Sequence, residues 1–542
     1  MNRDTVGFMA QTGKVFLRDA TGLVREFGLF DTIWINLALV GIVFSLTYVS
    51  STAPLIGGDP LLGGIIALIF MFFIALAFSI VAIIVPRTAG DYVFTSRYLH
   101  PAIGFVGNAG YYVATIPLFM GITIITLESF GLSTLFAYVG LATGNAGYVS
   151  LATTLSQPTY ELAVGGGLTI IAGIFPLIGY RAYKALGNII LPLILIMVAV
   201  MFVVLGTTPQ SVALDRLTAL SGNATLVPYV NNWGSVYNNP APSYSWANTL
   251  ALNAVYVVGF SYIISAVYVA GEVKHIKKTM PLAIVGTLFI TFIIFVGSTL
   301  LSYQAFGFNF LSNLYTMSIF YYIPVFPVVP YLDFLAAAIT NNVALGVFII
   351  VVSTIQLWWY QVNAIFVGGR LLLSYSFDRI MPAAFGDVNP KFNAPVKANM
   401  ASLIIGLIAG VLFVLPSTSA VAFLMSGAAV AIILLFPITV VGIALLVFRF
   451  RNKKEYESSG IGKSYLGGPV YLVVAIVTVV YALFTFYQYI TVPAIFGFAG
   501  NEGLLTIFVP IIILFAIYYT SKFINARRGV DFGQIFQQIP PE

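Results

Sequence analysis

The feature that most constrains this chain is a series of apolar runs, each long enough to cross a lipid bilayer as a helix. A span needs about 20 mostly apolar residues, because hydrocarbon offers backbone groups no partners outside a helix. Only 8% of the residues are charged and 60% are hydrophobic, whereas soluble domains carry about 25% charged residues. We therefore predict an all-α polytopic membrane protein with about twelve spans. The runs lie at 30–54, 61–85, 102–138, 159–178, 187–207, 246–270, 282–303, 333–374, 396–415, 418–447, 469–492 and 504–524.

The basic residues collect on one side of the predicted membrane. When the spans are threaded alternately, every Lys and Arg except Arg216 falls on the side of the amino terminus. Since loops rich in Lys and Arg stay in the cytoplasm, we expect a cell-membrane protein with both termini cytoplasmic. The net charge of +6 then reflects topology, and nucleic acid is not an expected partner.

The residues that most enzymatic or metal chemistry requires are absent from the sequence. There is no cysteine, and the two histidines, His100 and His275, fall in predicted cytoplasmic loops. The stretch Gly462-Lys463-Ser464 resembles the end of a phosphate-binding loop, but Glu457 stands where that motif needs glycine. We therefore expect neither an enzyme nor a bound metal or cofactor.

Two spans carry small residues near their midpoints. Gly259-Phe260-Ser261 comes about 13 residues after Trp246, too soon to end a span. Gly41 to Ser45 lies about ten residues past Asp31 in the first run. A break at mid-membrane frees backbone N–H and C=O groups, and it persists where it lines a cavity or binds a polar ligand. The alternative at both places is a continuous helix with small residues at a packing face.

The polar stretches that border the spans carry three distinctive patterns. One follows the sixth run, one joins the second and third runs, and one follows the eighth. Their residues are Ala270-Gly271-Glu272-Val273-Lys274, Lys277-Lys278, Pro281 and Ala283-Ile284; Pro86-Arg87, Gly90, Tyr92, Arg97, Pro101 and Gly104-Phe105; and Arg370, Ser376, Asp378 and Pro382. Together these patterns resemble the amino acid–polyamine–organocation (APC) superfamily over about residues 28 to 452. Ser261 departs from the Glu that many members carry, so the substrate class stays open.

The resemblance implies a five-plus-five inverted repeat of the leucine-transporter type, with discontinuous helices 1 and 6. The two last spans fall outside the repeat. The expected divisions are an amphipathic cytoplasmic amino terminus at 1–29, the first repeat at 30–207, an extracellular loop at 208–245, the second repeat at 246–447, a cytoplasmic loop at 448–468, helices 11 and 12 at 469–525, and a cytoplasmic tail at 526–542.

Candidate substrate-binding residues come from the two breaks, from the family register and from one polar helix face. The register places Tyr111 in the cavity, although an interfacial tyrosine is an equal alternative. The polar face in the eighth span could instead bond neighbouring helices. Phe260 is expected to close over the substrate as an aromatic gate. The full set is Gly41, Ile42, Val43, Phe44, Ser45, Tyr111, Gly259, Phe260, Ser261, Tyr262 and, at i, i+4 and i+7 of the eighth span, Gln356, Tyr360 and Asn363.

Two further residues are candidates for other roles. Glu128 is the carboxylate well inside a predicted span, which makes it a candidate proton carrier; it could instead reach external water. Asn223 begins the glycosylation pattern Asn-Ala-Thr in a predicted extracellular loop.

The function that the resemblance implies is secondary active transport of an amino acid or related amine, by symport with H⁺ or Na⁺. Free N–H groups at a half-helix amino end would bind a carboxylate, and free carbonyls would accept from an ammonium group. The alternatives are exchange of one amino acid or polyamine for another, and a channel or transporter-like sensor.

Overall fold

The computed structural model describes residues 22–23, 25–237, 240–414, 427–464, 466–492 and 501–540, with the backbone alone at 427–428 and 501–507. Most of the predicted amphipathic amino terminus lies outside these residues. Within them the chain is helical, and β-structure is limited to two isolated bridges, Phe27 with Val273 and Asn389 with Ala394.

Eleven helices in the described residues are long and apolar enough to cross a membrane, and a bent pair in the first run makes twelve spans. This confirms the predicted all-α polytopic fold. The first span is the bent pair Leu29–Val40 and Ile42–Ile56. The second to twelfth spans are Pro60–Ile84, Pro101–Thr143, Pro158–Ile178, Tyr180–Thr207, Trp246–Glu272, Ile276–Phe306, Val343–Phe377, Val396–Val414, Gly427–Arg451, Gly468–Thr491 and Asn501–Arg527.

The shorter helices lie in the connections between spans. They are Gly90–Tyr98, Ala146–Leu155, Gln210–Ser221, Leu226–Val236, Phe308–Tyr315, Leu332–Ala338, Lys453–Ser458 and Phe532–Ile535. We call the side of the membrane that carries residues 86–100 and 378–395 the basic face, and the side that carries 308–342 the opposite face.

The predicted eighth run at 333–374 is wrong at its start. The structure divides it into Leu332–Ala338 and the span Val343–Phe377. The polar residues between them cause the division, because the side chain of Asn342 accepts hydrogen bonds from the N–H groups of Ala344 and Leu345 and so starts a new helix. The short helix therefore belongs to the opposite face.

The first, third, sixth and eighth spans form the centre of the bundle. In the most apolar 18-residue stretch of the sixth span, 94% of the residues are buried, as expected of a helix that is apolar on all sides. It packs along the first span and the seventh. The eleventh and twelfth spans contact the tenth and the third spans from outside. This arrangement brings the two interrupted spans together at mid-membrane.

Candidate functional site

The first span breaks at Gly41. Its two halves meet at an angle of 46°, and Gly41 adopts the left-handed conformation with φ of +61°. A Cβ atom at this position would lie 3.1 Å from a ring carbon of Phe119 and 3.6 Å from one of Tyr360. The residue therefore has to be glycine for two reasons, its backbone conformation and the close approach of two rings.

The break directs the amino end of the half-helix Ile42–Ile56 into the bundle. Such an end carries N–H groups without helical partners. One of them, Val43 N–H, donates to Gln356 Oε1 at 3.0 Å. The hydroxyl of Ser45 donates across the break to the carbonyl of Val40 at 2.6 Å. The first span thus offers donors on one side of the break and acceptors on the other.

The interruption of the sixth span takes the form of a change in helix type. The α-helix ends at Phe260, and Ser261–Glu272 continues as a 3₁₀ helix with non-helical angles at Val269. Long 3₁₀ stretches inside a span are uncommon and often mark a functional hinge. Inside this stretch, the N–H of Ala266 donates to Asn36 Oδ1 of the first span at 2.7 Å.

Asn36 was not among the predicted site residues. Its amide also donates to the hydroxyl of Thr287 in the seventh span at 3.3 Å, so one buried side chain joins three spans. A single asparagine inside the apolar run 30–54 is the signal that could have identified it, because buried polar side chains in spans find partners within the bundle.

Gly259 and Phe260 lie against the seventh span. A Cβ atom at Gly259 would overlap the ring of Phe295, and the ring of Phe260 stacks with that of Phe295 at 6.0 Å. The surroundings of Gly259 therefore fit the alternative interpretation, in which a small residue allows two helices to pack closely. Ser261 donates to the carbonyl of Val257 within its own span.

Five rings form what we call the central aromatic cluster, beside the break at Gly41. Phe119 lies 4.2 Å from Tyr360 and 5.5 Å from Tyr262, measured between ring centroids. Tyr111 lies 5.5 Å from Tyr262 and 4.0 Å from Tyr268. All five are buried. Rings of this kind can bind an ammonium group through cation–π contacts.

Contact between these rings does not establish a role in binding, but it shows which of the predicted residues are neighbours. Tyr111, Tyr262 and Tyr360 were predicted to line the site, whereas Phe119 and Tyr268 were missed. Phe119 lies in a π-helical turn at Ala114–Met120, and such turns are frequent at functional sites. Sequence periodicity does not reveal a π-turn, so no pattern pointed to this residue.

The polar residues on one face of the eighth span contact different parts of the bundle. Gln356 reaches Val43 in the first span, and the hydroxyl of Tyr360 donates to the carbonyl of Thr115 at 3.1 Å. Asn363 instead accepts from the hydroxyl of Tyr183 in the fifth span at 2.7 Å. Its position fits the helix–helix alternative.

The sequence matches the family model described as Amino acid permease over residues 31–533. The chain belongs to the amino acid permease family. This membership confirms the resemblance to the APC superfamily, and it makes the protein a multi-pass membrane transporter by family. A comparison with curated proteins found no match.

The family-pattern residues of this permease pair with one another at the basic face. Arg97 binds Asp378 through two hydrogen bonds of 2.6 Å each, and the hydroxyl of Tyr92 also donates to Asp378. Arg370 binds Glu272 at 2.8 and 3.1 Å, and both side chains are buried. These bonds join the loop after the second span, the end of the sixth and the end of the eighth.

Burial shifts two pKa values at this face. Burial raises the pKa of Asp91 to about 6, although the amide of Asn108 donates to the carboxylate and works against the rise. For Arg97, burial taken alone lowers the pKa, but the adjacent Asp378 and Tyr92 together outweigh it and raise the pKa overall. Arg97 therefore stays charged in its ion pair.

Glu128 of the permease lies buried in a second π-helical turn, Leu127–Leu132. Its Oε1 accepts from the hydroxyl of Ser133 at 3.2 Å, and Oε2 has no hydrogen-bond partner in the described residues. Asn223 is exposed on the opposite face, where its side chain accepts from Thr225. Glycosylation of Asn223 stays a prediction. No cluster of metal-ligating side chains occurs in the part of the chain that the structure describes.

Proposed function

We propose that this permease carries a small zwitterionic amino acid or a related amine across the cell membrane by alternating access, coupled to H⁺ or Na⁺. The single observation that carries the proposal is the break at Gly41. It places a half-helix amino end beside the central aromatic cluster, inside a span where a break in the helix persists when it lines a cavity or binds a polar ligand.

The substrate carboxylate is proposed to bind the N–H groups at the start of Ile42–Ile56. Gln356 Oε1 already accepts from Val43 there, so the position suits an oxygen acceptor. A half-helix amino end carries about half a positive charge, which favours an anion. The carboxylate would take the place of the Gln356 oxygen.

The substrate ammonium group is proposed to bind the carbonyl end of Leu29–Val40 and the face of the central aromatic cluster. Cation–π contacts contribute about 2 kcal/mol when desolvated. Because the cluster consists of Phe and Tyr side chains, which carry no charge near pH 7, a neutral amino acid side chain fits best.

We also propose an orientation of the permease in the membrane. The basic face lies in the cytoplasm with both termini, because Lys and Arg loops are retained there, and the opposite face carries Asn223 outside the cell. Glu128, one of whose carboxylate oxygens has no hydrogen-bond partner within the described ranges, supports coupling to protons.

Flux measurements in proteoliposomes test the mechanism. A thermal-shift screen against the common amino acids and polyamines first identifies a ligand, and uptake of that ligand is then measured with imposed proton or sodium gradients. Uptake driven by one of the gradients is the expected result. Uptake that requires internal substrate would indicate exchange, and ligand binding without any flux would indicate a sensor.

Changes at Gln356 test the carboxylate site. We expect Gln356→Glu to weaken substrate binding about tenfold, equivalent to about 1.4 kcal/mol, because a fixed carboxylate competes for the Val43 N–H group. Gln356→Met, which removes the acceptor at similar size, should keep binding within about threefold, a difference of under 1 kcal/mol. Binding to purified protein is the measurement. Weaker substrate binding by Gln356→Met than by Gln356→Glu would contradict carboxylate recognition at this helix end.

A further inference from the structure

A short helix on the opposite face, Leu332–Ala338, contains a buried carboxylate that the transport site does not use. The helix packs against the outer half of the first span and against the eighth span. At its other end, Arg216 donates to the carbonyl of Ile339. The helix therefore belongs to the structure that closes this face.

Asp333 in this helix is 2% exposed and lacks a basic partner among the described residues. Its Oδ1 accepts from the N–H of Phe334 at 2.9 Å, and Oδ2 has no hydrogen-bond partner in the part of the chain that the structure describes. The hydroxyl of Ser353, which also has no other partner, lies beside the carboxyl group. An ionised carboxylate in such surroundings is unfavourable, and the group becomes neutral instead.

The titratable groups that face Asp333 are tyrosines. Tyr331 precedes it in the chain, and Tyr315 comes from the preceding helix. Tyr138 of the third span also lies near this helix, with its ring packed on Phe334, and Arg216 contacts the end of the helix at Ile339. All of these tyrosines are neutral near pH 7, so Asp333 is the group here that changes charge.

Asp333 is connected to the transport site by a row of rings, which we call the outer aromatic stack. The ring of Tyr331 lies 4.5 Å from that of Phe130, Phe130 lies 6.3 Å from Phe44, and Phe44 lies 4.6 Å from Phe119. Phe119 is the ring beside Gly41. The residue that precedes the helix Leu332–Ala338 therefore forms the outer end of a continuous row of rings that leads to the central aromatic cluster.

We infer that Asp333 is a proton site that controls closure of the opposite face. The helix Leu332–Ala338 closes over the outer aromatic stack when Asp333 carries a proton taken from water on that side. Loss of the proton favours the open state, in which the carboxylate reaches water. The inference rests on the proposed alternating access and names a residue through which external protons act on it.

The direction of the pH dependence follows from the two environments. Burial raises the pKa of Asp333 to about 6, against the opposing effects of the Phe334 N–H hydrogen bond and of the neighbouring Ser353 hydroxyl, whereas a carboxyl group in water has a pKa of about 3.9. The closed state therefore binds more protons than the open state. The closed-to-open ratio should fall about 100-fold as the pH rises from below 4 to above 6.

The absence of cysteine from the chain allows a direct test by thiol labelling. Ser50 in the outer half of the first span is 1% exposed in the closed structure, so Ser50→Cys reports opening to a membrane-impermeant maleimide. The rate is compared with that of the double variant Ser50→Cys/Asp333→Asn at the same pH, which cancels the reactivity of the thiol itself. Labelling of the single variant should be about tenfold faster at pH 5 and about 100-fold faster at pH 8, because the open state ionises well below pH 5 and the closed state only near pH 6.

The matched control is the double variant Ser50→Cys/Asp215→Asn, because the Asp215 carboxylate lies on the same face but is exposed. This control should be labelled at the same rate as the single variant Ser50→Cys at both pH values. A rate ratio for Asp333→Asn that does not change with pH would overturn the inference. The labelling needs no substrate, so a permease without measurable flux but with the expected labelling would refute the proposed function and leave the proton site standing.

Thermal stability is the second readout. Asp333→Asn keeps the neutral shape, so its Tm should exceed that of the parent at pH 5 and exceed it by a larger margin at pH 8. A variant that melts below the parent at both pH values, or fails to fold, would show that the ionised carboxylate is needed and would overturn the inference.

Discussion

Gly41→Ala should abolish substrate binding while leaving a folded protein. The left-handed conformation at φ of +61° costs a residue with a Cβ atom about 1–2 kcal/mol. The added carbon would also press on Phe119, 3.1 Å away, and on Tyr360. Because both rings belong to the central aromatic cluster, we expect binding to weaken by at least about 100-fold, or about 2.7 kcal/mol. Ligand-induced thermal shift of the purified variant is the measurement.

Gly144→Ala is the control that separates backbone strain from contact with the site. Gly144 has a similar φ of +67°, and no atom lies within 4 Å of its added Cβ. This variant should lose about 1 kcal/mol of stability and bind substrate normally. Normal binding by Gly41→Ala, or equal loss in both variants, would contradict the proposed role of the break. Gly259 is a poorer choice for this test, since its Cβ would meet Phe295 and disturb packing.

Arg370→Met should destabilise the permease by about 3–5 kcal/mol, the usual cost of leaving one member of a buried ion pair without its partner. Glu272 is 2% exposed, and Arg370 supplies both of its charged hydrogen bonds. The guanidinium also lies 3.3 Å from the centre of the Phe366 ring. The loss should appear as a large fall in Tm of the detergent-solubilised protein.

Two further variants separate the possible causes of this loss of stability. The double variant Arg370→Met/Glu272→Gln removes the uncompensated charge and should regain most of the stability. Lys397→Met breaks an exposed pair with Asp387, whose side chains are 61% and 46% exposed, and should cost under about 1 kcal/mol. A double variant as unstable as Arg370→Met would mean that the packing of the arginine, and not the buried charge, dominates.

Two glycines near mid-span have different surroundings, although their local sequences look alike. The break at Gly41 was predicted from small residues near mid-span, and the structure has it at that glycine. The same reasoning at Gly259 selected a residue that packs on Phe295. Both are glycines near the middle of an apolar run, and only their neighbours differ.

Side-chain direction explains the other differences. Gln356 and Asn363 are two turns apart on one helix face, yet one contacts the first span and the other the fifth. Asp333 was placed inside an apolar run, because nothing in the local pattern shows that Asn342 starts a separate helix. The proton site inferred here depends on that division.

The sequence by itself determined that this protein crosses the membrane about twelve times, that its backbone is helical, and that it belongs with the amino acid permeases. Those properties follow from segment length, hydropathy and local motifs, which act within a few turns of the chain. Only the tertiary structure decided which rings surround Gly41, that Asn36 joins three spans, and that Asp333 is buried with no basic partner among the described residues. Such contacts join residues hundreds of positions apart, and their geometry is set by packing between helices, which local periodicity does not encode.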